Sequence, residues 1–195
     1  MSTIVSIRGT HGSGKSTIVR KILDKYPHEE LKFNESDKRP YGYLVQMPTG
    51  RELAVIGPYH TACGGCDAVQ PYSVILDLVK DATHKGYDVL LEGALVSSSY
   101  GSVGHLLNEY APGALFAFLD TPLQTCLDRI KARRAAKGNH EPLDPKNTAV
   151  KFDNVARTKA QMAKLGSAVR IVDIDHTRAT QQVLKLFGVS IRKEL

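Results

Sequence analysis

The segment that most constrains the fold of this 195-residue chain lies near its amino terminus and follows the pattern G-x-x-x-x-G-K-[S/T]. The apolar run TIVSIR precedes it, which is typical of a short buried strand. After it, Ile18, Val19 and Ile22 recur at helical spacing until Pro27 ends the pattern. In such a strand–loop–helix unit, glycines let backbone N–H groups converge on phosphate, and the helix presents its positive end. The pattern therefore predicts a triphosphate-binding loop.

Two side chains of this loop are expected to carry specific chemistry. Lys15 supplies a positive charge to the β- and γ-phosphates, and the hydroxyl of Ser16 is placed to bind Mg²⁺. We therefore expect ATP and Mg²⁺ as ligands, with GTP left open as the donor. The residues predicted to contact them are Gly9, Thr10, His11, Gly12, Ser13, Gly14, Lys15, Ser16 and Thr17.

The rest of the chain alternates short apolar runs with amphipathic stretches, which predicts an α/β fold. We expect a parallel sheet of about five strands, flanked by helices and connected right-handedly. The runs GYLVQM and ELAVIG, joined by a Pro/Gly turn, predict an inserted hairpin, and residues 28–40 are polar enough to predict a loop. The length and a hydrophobic fraction of 42% suit one domain over residues 1–195.

Carboxylates follow two of the predicted buried strands. Glu92 ends DVLLEG and Asp120 ends ALFAFLD, so both are expected at the carboxyl edge of the sheet, where ligands bind in open α/β folds. Phosphoryl transfer needs a carboxylate near the metal or the attacking hydroxyl. Glu92 is a candidate for either role, or is a solvated strand end. Asp120 is equally consistent with catalysis and with capping the helix that follows Pro122.

A concentration of positive charge follows in the helix after Pro122. Arg129 and Arg133 are four residues apart and so are neighbours on the helix surface, and Arg134 adjoins them. Gly and Pro then interrupt the helix, which suits a mobile lid over residues of about 129–147 that closes on the phosphates. The alternative is a solvated basic face. We predict catalytic roles for Arg129 and Arg133.

Residues 57–71, GPYHTACGGCDAVQP, lack any period and are predicted to be a functional loop. Its Cys63 and Cys66 match a lone CxxC without a second ligand pair, so zinc or redox chemistry is the weaker alternative. Paired glycines indicate backbone passing close to a ligand. Asp67 competes with Glu92 as the general base, and a capping role is less natural because Pro71 resembles a first helical residue. The predicted substrate contacts are Tyr59, Gly64, Gly65, Cys66, Asp67 and Arg134.

The overall charge indicates the kind of ligand, and the amino-terminal residues indicate the compartment. Lys and Arg outnumber Asp and Glu by 26 to 20, a balance that favours a polyanionic ligand such as nucleotide or nucleic acid. The amino-terminal residues carry neither a signal peptide nor a membrane-spanning run, so we expect a cytosolic protein without a membrane partner. Three cysteines in such a chain are expected to be free thiols. The oligomeric state is left open.

The glycine-rich loop, DVLLEG and DTPLQTCLDRIKARR together resemble the nucleoside and nucleotide kinase group of P-loop kinases over nearly the whole chain. The resemblance implies that the last of these segments contributes lid arginines. It also implies that the loop after the final strand, around residues 175–178, lies near the adenine. A thymidylate kinase is disfavoured, because Gly93-Ala94-Leu95 stands where that family carries an Asp-Arg-Tyr/His signature.

More narrowly, GPYHTACGGCD followed by DVLLEG resembles bacteriophage kinases that phosphorylate 5-hydroxymethyluracil already incorporated in DNA. The resemblance implies ATP-dependent transfer to the hydroxymethyl group of a base turned out of the DNA stack, in the host cytoplasm if the chain is phage-encoded. Two other hypotheses stay open. One is a small-molecule kinase acting on a nucleoside, nucleotide or sugar, and the other is a nucleotide-dependent regulatory ATPase.

Overall fold

Strand β1 (Ile4–Arg8) lies in the middle of the molecule, and all five of its residues are buried. It pairs in parallel with β5 (Asp88–Glu92) on one side and with β6 (Leu115–Leu119) on the other. Such a strand reads as an unbroken apolar run because helices cover both faces of the sheet. The predicted strands around DVLLEG and ALFAFLD are therefore confirmed as the two neighbours of the strand that leads into the glycine-rich loop.

The computed structural model describes residues 2–60, 64–98 and 100–190. Over these residues the sheet has seven strands in the order β2-β3-β4-β5-β1-β6-β7. Five neighbouring strands run parallel, in the order β4-β5-β1-β6-β7. This confirms the predicted parallel sheet of about five strands. The four strands not yet given bounds are β2 (His28–Leu31), β3 (Gly42–Gln46), β4 (Glu52–Ile56) and β7 (Arg170–Ile174).

The predicted hairpin forms, and it extends the main sheet. β3 pairs antiparallel with β4, and β4 then continues the sheet in parallel with β5. The prediction of a loop over residues 28–40 was wrong for His28–Leu31, which form β2 at the sheet edge. This strand is polar and largely exposed, so it lacks the apolar alternation by which strands are found, and only backbone pairing with β3 defines it.

Seven α-helices connect these strands within the described residues, and the helices expected from the apolar periodicity are confirmed. Short 3₁₀ turns at Cys66–Ala68 and Gly166–Ala168 and a π-helical turn at Tyr100–Gly104 complete the structure. The α-helices are α1 (Lys15–Lys25), α2 (Ser73–His84), α3 (Ala94–Ser97), α4 (His105–Tyr110), α5 (Leu123–Ala135), α6 (Lys146–Ala163) and α7 (Ala179–Leu186).

Two hydrophobic cores cover the two faces of the sheet. On one face, Val5 and Ile7 of β1 pack with residues of α1 and α7, such as Ile22 and Val183. On the other face, Ile4 belongs to a cluster that includes buried residues of α2, α4 and α6. The result is three layers, with the sheet between two layers of helices. This arrangement fixes the carboxyl ends of β5, β1 and β6 as one rigid edge.

The opposite end of β5 is tied by an ion pair. Nε and Nη2 of Arg51 each donate to the buried Asp88 carboxylate at 2.9 Å, and the backbone N–H of Thr3 donates to it at 2.7 Å. These bonds join the turn before β4 and the start of β1 to β5.

No helix among the described residues combines the length and apolar character that a bilayer crossing requires.

Candidate active site

The glycine-rich loop leads from β1 into α1, as its pattern predicts. Gly14 precedes the helix in the left-handed region, with φ of 105°, and no side chain caps the first helical turn. Lys15 is buried, and its Nζ donates to the carbonyls of Gly9 at 2.8 Å and Thr10 at 3.0 Å. Burial lowers the pKa of Lys15, while the nearby carboxylates of Glu92 and Asp67 oppose that change. The uncapped amides and this ammonium form an anion-binding cradle.

Glu92 lies at the carboxyl end of β5 and faces the loop. Its Oε1 accepts hydrogen bonds from the hydroxyl of Ser16 at 2.8 Å and from the hydroxyl of Tyr59 at 3.1 Å. The side chain is almost wholly buried, and burial raises its pKa, with the charge of Lys15 the largest opposing effect. The interpretation of Glu92 as a merely solvated strand end is therefore wrong. A buried carboxylate beside the loop's serine can hold a cation.

The Gly-Cys loop packs directly on Glu92. Gly65 has φ of 92°, and a Cβ atom added there would lie 2.5 Å from Oε1 of Glu92, so a side chain has no room. Cys66 is buried, its thiol contacts the carbonyl of Ile56 at 3.8 Å, and burial raises the pKa of the thiol. Cys63 lies outside the described residues. The glycine backbone was predicted to pass close to a ligand, and it does make a close approach, but to the side chain of Glu92. The side chain of Cys66 is buried away from solvent.

Asp67 turns the other way, towards the first turn of α3. Its Oδ2 accepts the backbone N–H of Ala94 at 2.7 Å, and its Oδ1 accepts that of Leu95 at 3.1 Å. The argument against a capping role was therefore wrong, because it considered only the helix that follows Asp67. Asp67 fixes α3, which begins two residues after Glu92 and lies 27 residues further along the chain.

A cleft of about 600 Å³ joins these elements. Among the predicted substrate contacts, Gly64 and Asp67 line it, whereas Tyr59, Gly65 and Cys66 are buried and do not line it. The residues predicted for the nucleotide that line it are His11, Gly12, Gly14, Lys15, Ser16 and Thr17. Gly9, Thr10 and Ser13 do not line the cleft and border a smaller cavity. The cleft therefore brings the phosphate loop, Glu92 and Asp67 to one space.

The predicted lid arginines separate into two groups. Arg129 and Arg133 line the cleft, and Nη1 of Arg129 donates to the carbonyl of Ser13 at 3.1 Å. Arg134 is not among the lining residues, and its guanidinium donates to Oδ1 of Asn139 at 3.1 Å, within the segment predicted as a lid. The structure thus brings two of the three arginines to the phosphate loop and does not support a substrate contact by Arg134.

Two cations at the loop were not predicted. Arg20 lines the cleft, one helical turn after Ser16, so helical spacing would have indicated it. Nζ of Lys151, on α6, lies 2.7 Å from Nε2 of His11. Burial lowers the pKa of His11, and the charge of Lys151 lowers it further. No local signal indicates Lys151, because it lies 140 residues from its partner.

A second cavity, of about 310 Å³, lies on the β7 side of the loop. His176, Thr177 and Arg178 line it, which places the segment after β7 beside the phosphate loop. The backbone N–H of His176 donates to Oδ1 of Asp120 at 2.7 Å, and this bond lowers the pKa of Asp120. The α5 helix has no side-chain cap, so of the two roles left open for Asp120 the capping role is wrong. Asp120 instead anchors the loop after β7.

The parallel sheet, the phosphate loop, the buried carboxylate and the cleft arginines together define a P-loop phosphotransferase of the kinase class. A sequence profile of the family described as "5-hmdU DNA kinase" matches residues 1–183. The chain belongs to the 5-hmdU DNA kinase family.

Individual relatives agree with the family profile. The chain is 35% identical over 185 residues to the 5-hmdU DNA kinase of Pseudomonas phage PaMx11, covering 94% of this chain and 96% of the relative. It is 30% identical over 175 residues to the 5-hmdU DNA kinase of Pseudomonas phage M6, covering 85% and 88%. Among solved structures, a gluconokinase from Sinorhizobium meliloti 1021 aligns over 95% of this chain and 91% of its own, with 14% identity and a TM-score of 0.46.

Proposed function

We propose that this chain transfers the γ-phosphate of ATP to the hydroxymethyl group of 5-hydroxymethyluracil within DNA. The relatives named as 5-hmdU DNA kinases support this substrate. The structural observation that carries the proposal is the position of Asp67. Two backbone amides hold its carboxylate on the wall of the same cleft that Lys15 lines. An acceptor hydroxyl in that cleft therefore meets a fixed carboxylate across from the phosphate loop.

Asp67 is the general base of this proposal. A carboxylate offers about four lone-pair positions, of which the amides of Ala94 and Leu95 occupy two. The remaining positions can accept the proton of a hydroxymethyl group as its oxygen attacks the γ-phosphorus. The bond from that phosphorus to the oxygen bridging to the β-phosphate breaks, and ADP leaves. The amides hold the carboxylate in one orientation, which lowers the entropy cost of the reactive geometry.

Lys15, Arg129 and Arg133 stabilise the transferring group. All three line the cleft, and Lys15 and Arg129 already donate to carbonyls of the loop. In phosphoryl transfer, charge spreads over the equatorial oxygens of the γ-phosphate, and fixed cations around them lower the barrier. The cavity beside His176 and Arg178 receives the nucleoside part of ATP, since it adjoins the loop on the β7 side.

Mg²⁺ fits the oxygen donors that this chain presents. The hydroxyl of Ser16 and the carboxylate of Glu92 lie 2.8 Å apart, and oxygen ligands of this kind are those that Mg²⁺ prefers. Ser16 and Glu92 would hold the ion, Glu92 directly or through a bound water. When bound, Mg²⁺ neutralises charge on the phosphates. Tyr59 orients Glu92 through its hydroxyl, which is a positioning role.

A base inside a duplex cannot reach this cleft, so the target nucleotide is turned out of the stack or lies in an unpaired strand. The formal charge of +6 favours association with the phosphate backbone and makes binding salt-dependent. Because ATP and phage DNA meet in the infected cell, the proposed site of action is the host cytoplasm.

The test supplies purified protein with radiolabelled ATP and Mg²⁺ and compares three acceptors. We expect label on DNA that contains 5-hydroxymethyluracil and none on the same DNA with thymine. The Lys15→Ala variant should lose this activity, since the position faces the cleft. Label that appears only on free nucleosides or nucleotides would overturn the proposal in favour of a small-molecule kinase. ATP turnover without any acceptor as the sole activity would indicate a regulatory ATPase.

A further inference from the structure

A separate cavity of about 330 Å³ opens beside the active-site cleft. It lies between the segment that joins β2 to β3 and the Gly-Cys loop, and the donor-side interactions described above do not involve it. The lining residues that matter here are Phe33, Arg39, Tyr41, His60, Ala68 and Val69. We call this space the aromatic cavity.

The position of the aromatic cavity follows from the strand register. Leu31, at the end of β2, pairs with Gly42, which pairs with Ile56, which pairs with Leu91 beside Glu92. Phe33 therefore lies at the same edge of the sheet as the catalytic groups. Ala68 lines both the aromatic cavity and the cleft, so the two spaces share a wall one residue from Asp67.

The aromatic cavity exposes an aromatic ring to solvent. Phe33 is 61% exposed, the highest value among the exposed large hydrophobic residues of the described chain, and it is the aromatic member of that group. Its ring lies 4.5 Å from that of Tyr41, centroid to centroid, with 34° between the planes. Tyr41 therefore supports one side of Phe33 and leaves the rest of the ring free. An exposed ring that packs on a second ring offers a face on which a nucleobase can stack.

The charge that lines the aromatic cavity suits a nucleic acid strand. Arg39 lines the aromatic cavity, and no acidic residue is among its described lining residues. The nearby carboxylate of Asp37 accepts the backbone N–H of Asn34 at 3.0 Å, and Glu30 pairs with Lys32 at 3.0 Å. An aromatic platform with an adjacent arginine is the combination that binds unpaired nucleotides, because every base has a face that stacks.

We propose that the aromatic cavity binds the nucleotide adjacent to the target in the same unpaired strand, with its base stacked on Phe33 and its phosphate near Arg39. This inference rests on the proposed function. The target base belongs in the cleft, because its hydroxymethyl group must reach Asp67, and the neighbouring nucleotide then lies beyond Ala68. The surface thereby distinguishes a DNA strand from a free nucleotide.

The experiment uses a short single-stranded oligonucleotide with one 5-hydroxymethyluracil and a fluorescent 2-aminopurine at an adjacent position. Stacking quenches 2-aminopurine, so wild-type protein should quench it on binding. Phe33→Ala should abolish the quenching. It should also raise KM for the oligonucleotide at least about fivefold, which is the lower end of the range that the loss of one base–aromatic stack produces, and kcat should be retained. Phe33→Tyr should keep both properties. Leu165→Ala is the control, since Leu165 is 45% exposed and precedes β7 at the opposite edge of the sheet.

The outcomes separate the inference from the proposed function. If wild-type protein phosphorylates the oligonucleotide but Phe33→Ala has an unchanged KM and unchanged quenching, the aromatic cavity does not bind DNA and the function stands. If Phe33→Ala raises KM equally for free 5-hydroxymethyl-2′-deoxyuridine monophosphate, the cavity holds the target itself, which also overturns the inference. If wild-type protein labels no DNA, the proposed function fails instead. Because Phe33 is exposed, the alanine variant should fold, and its unfolding temperature checks this.

Discussion

The hydroxyl of Ser16 and the carboxylate of Glu92 are joined by a hydrogen bond of 2.8 Å, although the two residues lie 76 positions apart. One comes from the first turn of α1 and the other from the end of β5. The bond therefore connects the phosphate loop to the neighbouring strand. It also brings together the two oxygen donors that the proposal assigns to Mg²⁺.

The first prediction concerns these donors. Glu92→Gln keeps an oxygen that can accept from Ser16 and Tyr59 but removes the charge that attracts a cation. We expect kcat to fall by about 10²-fold or more and the Mg²⁺ concentration for half-maximal activity to rise. Steady-state assays across Mg²⁺ concentrations measure both quantities. Glu52→Gln, at an exposed position of β4, should change neither, and an unchanged Mg²⁺ requirement in Glu92→Gln would exclude Glu92 from the metal site.

A second prediction distinguishes the two roles of Asp67. Asp67→Asn and Asp67→Ser both retain an oxygen that can accept an amide of α3, but neither provides a carboxylate. If Asp67 is the base, kcat should fall by about 10²- to 10⁴-fold in both variants while the Kd for ATP is retained. The loss of one amide bond should cost about 1 kcal/mol of stability. Retained kcat in Asp67→Ser would mean that the residue serves only to cap α3.

The arginines of α5 provide a third test with an internal control. Arg129→Ala and Arg133→Ala should each lower kcat by about 10²-fold, because both side chains line the cleft. Arg134→Ala should leave kcat nearly unchanged, because its guanidinium bonds to Asn139. Single-turnover rates with saturating ATP make the comparison. An equal loss in all three variants would indicate that net charge on α5 matters more than position.

The His11–Lys151 contact predicts a pH effect. Because burial and then Lys151 lower the pKa of His11, the folded protein binds a proton there less readily than the unfolded chain does. The resulting stability is present above the ordinary value of 6.5 and is lost as pH falls through the lowered pKa. The charges of Lys15 and Arg133 act in the same direction, and Asp67 opposes them.

The measurement for His11 is an NMR titration of its ring protons, assigned with a His11→Asn variant. Wild-type His11 should titrate below 6.5. Lys151→Met removes the positive charge 2.7 Å away, so the pKa of His11 should rise. A titration at the same pH in both proteins would show that the contact has no electrostatic effect on the loop.

A fifth prediction concerns stability away from the site. Arg51→Ala leaves the carboxylate of Asp88, whose side chain is 3% exposed, without its ion-pair partner. We expect a loss of roughly 3 kcal/mol in the free energy of unfolding, measured with urea, because an uncompensated buried charge is costly. Lys85→Ala breaks a pair with Asp81 in which both side chains are more than half exposed, and it should cost less than about 1 kcal/mol. Equal losses would contradict the argument from burial.

The geometry of the phosphate loop could be predicted from sequence because its signals are local. Strand, glycine loop and helix are consecutive, and Lys15 and Ser16 follow from the spacing alone. The positions of Arg129 and Arg133 could also be predicted, since the two residues share one helical face. Arg134 was wrongly grouped with them, because at 3.6 residues per turn the next residue points about 100° away.

Other features of the site and the sheet depend on contacts between distant segments, and sequence reasoning could not supply them. Asp67 caps a four-residue helix 27 positions later, and ALVS alone does not indicate a helix. Lys151 reaches His11 from α6, and no pattern links the two. Likewise, β2 is defined by pairing with β3, whereas its own residues HEEL are polar. These features follow from tertiary structure, which a periodicity argument does not include.

The order of the strands in the sheet has a consequence for the kinetic mechanism, because it decides whether both substrates can be bound at the same time. The cavity proposed for the nucleoside part of ATP lies on the β7 side of β1, whereas the Asp67 wall of the cleft and the aromatic cavity lie towards β5, β4 and β2. Two substrates that approach from opposite sides need not displace one another. Double-reciprocal plots at varied ATP and DNA should therefore intersect, as for a ternary complex. Transfer would be direct, without a phosphorylated enzyme between two half-reactions.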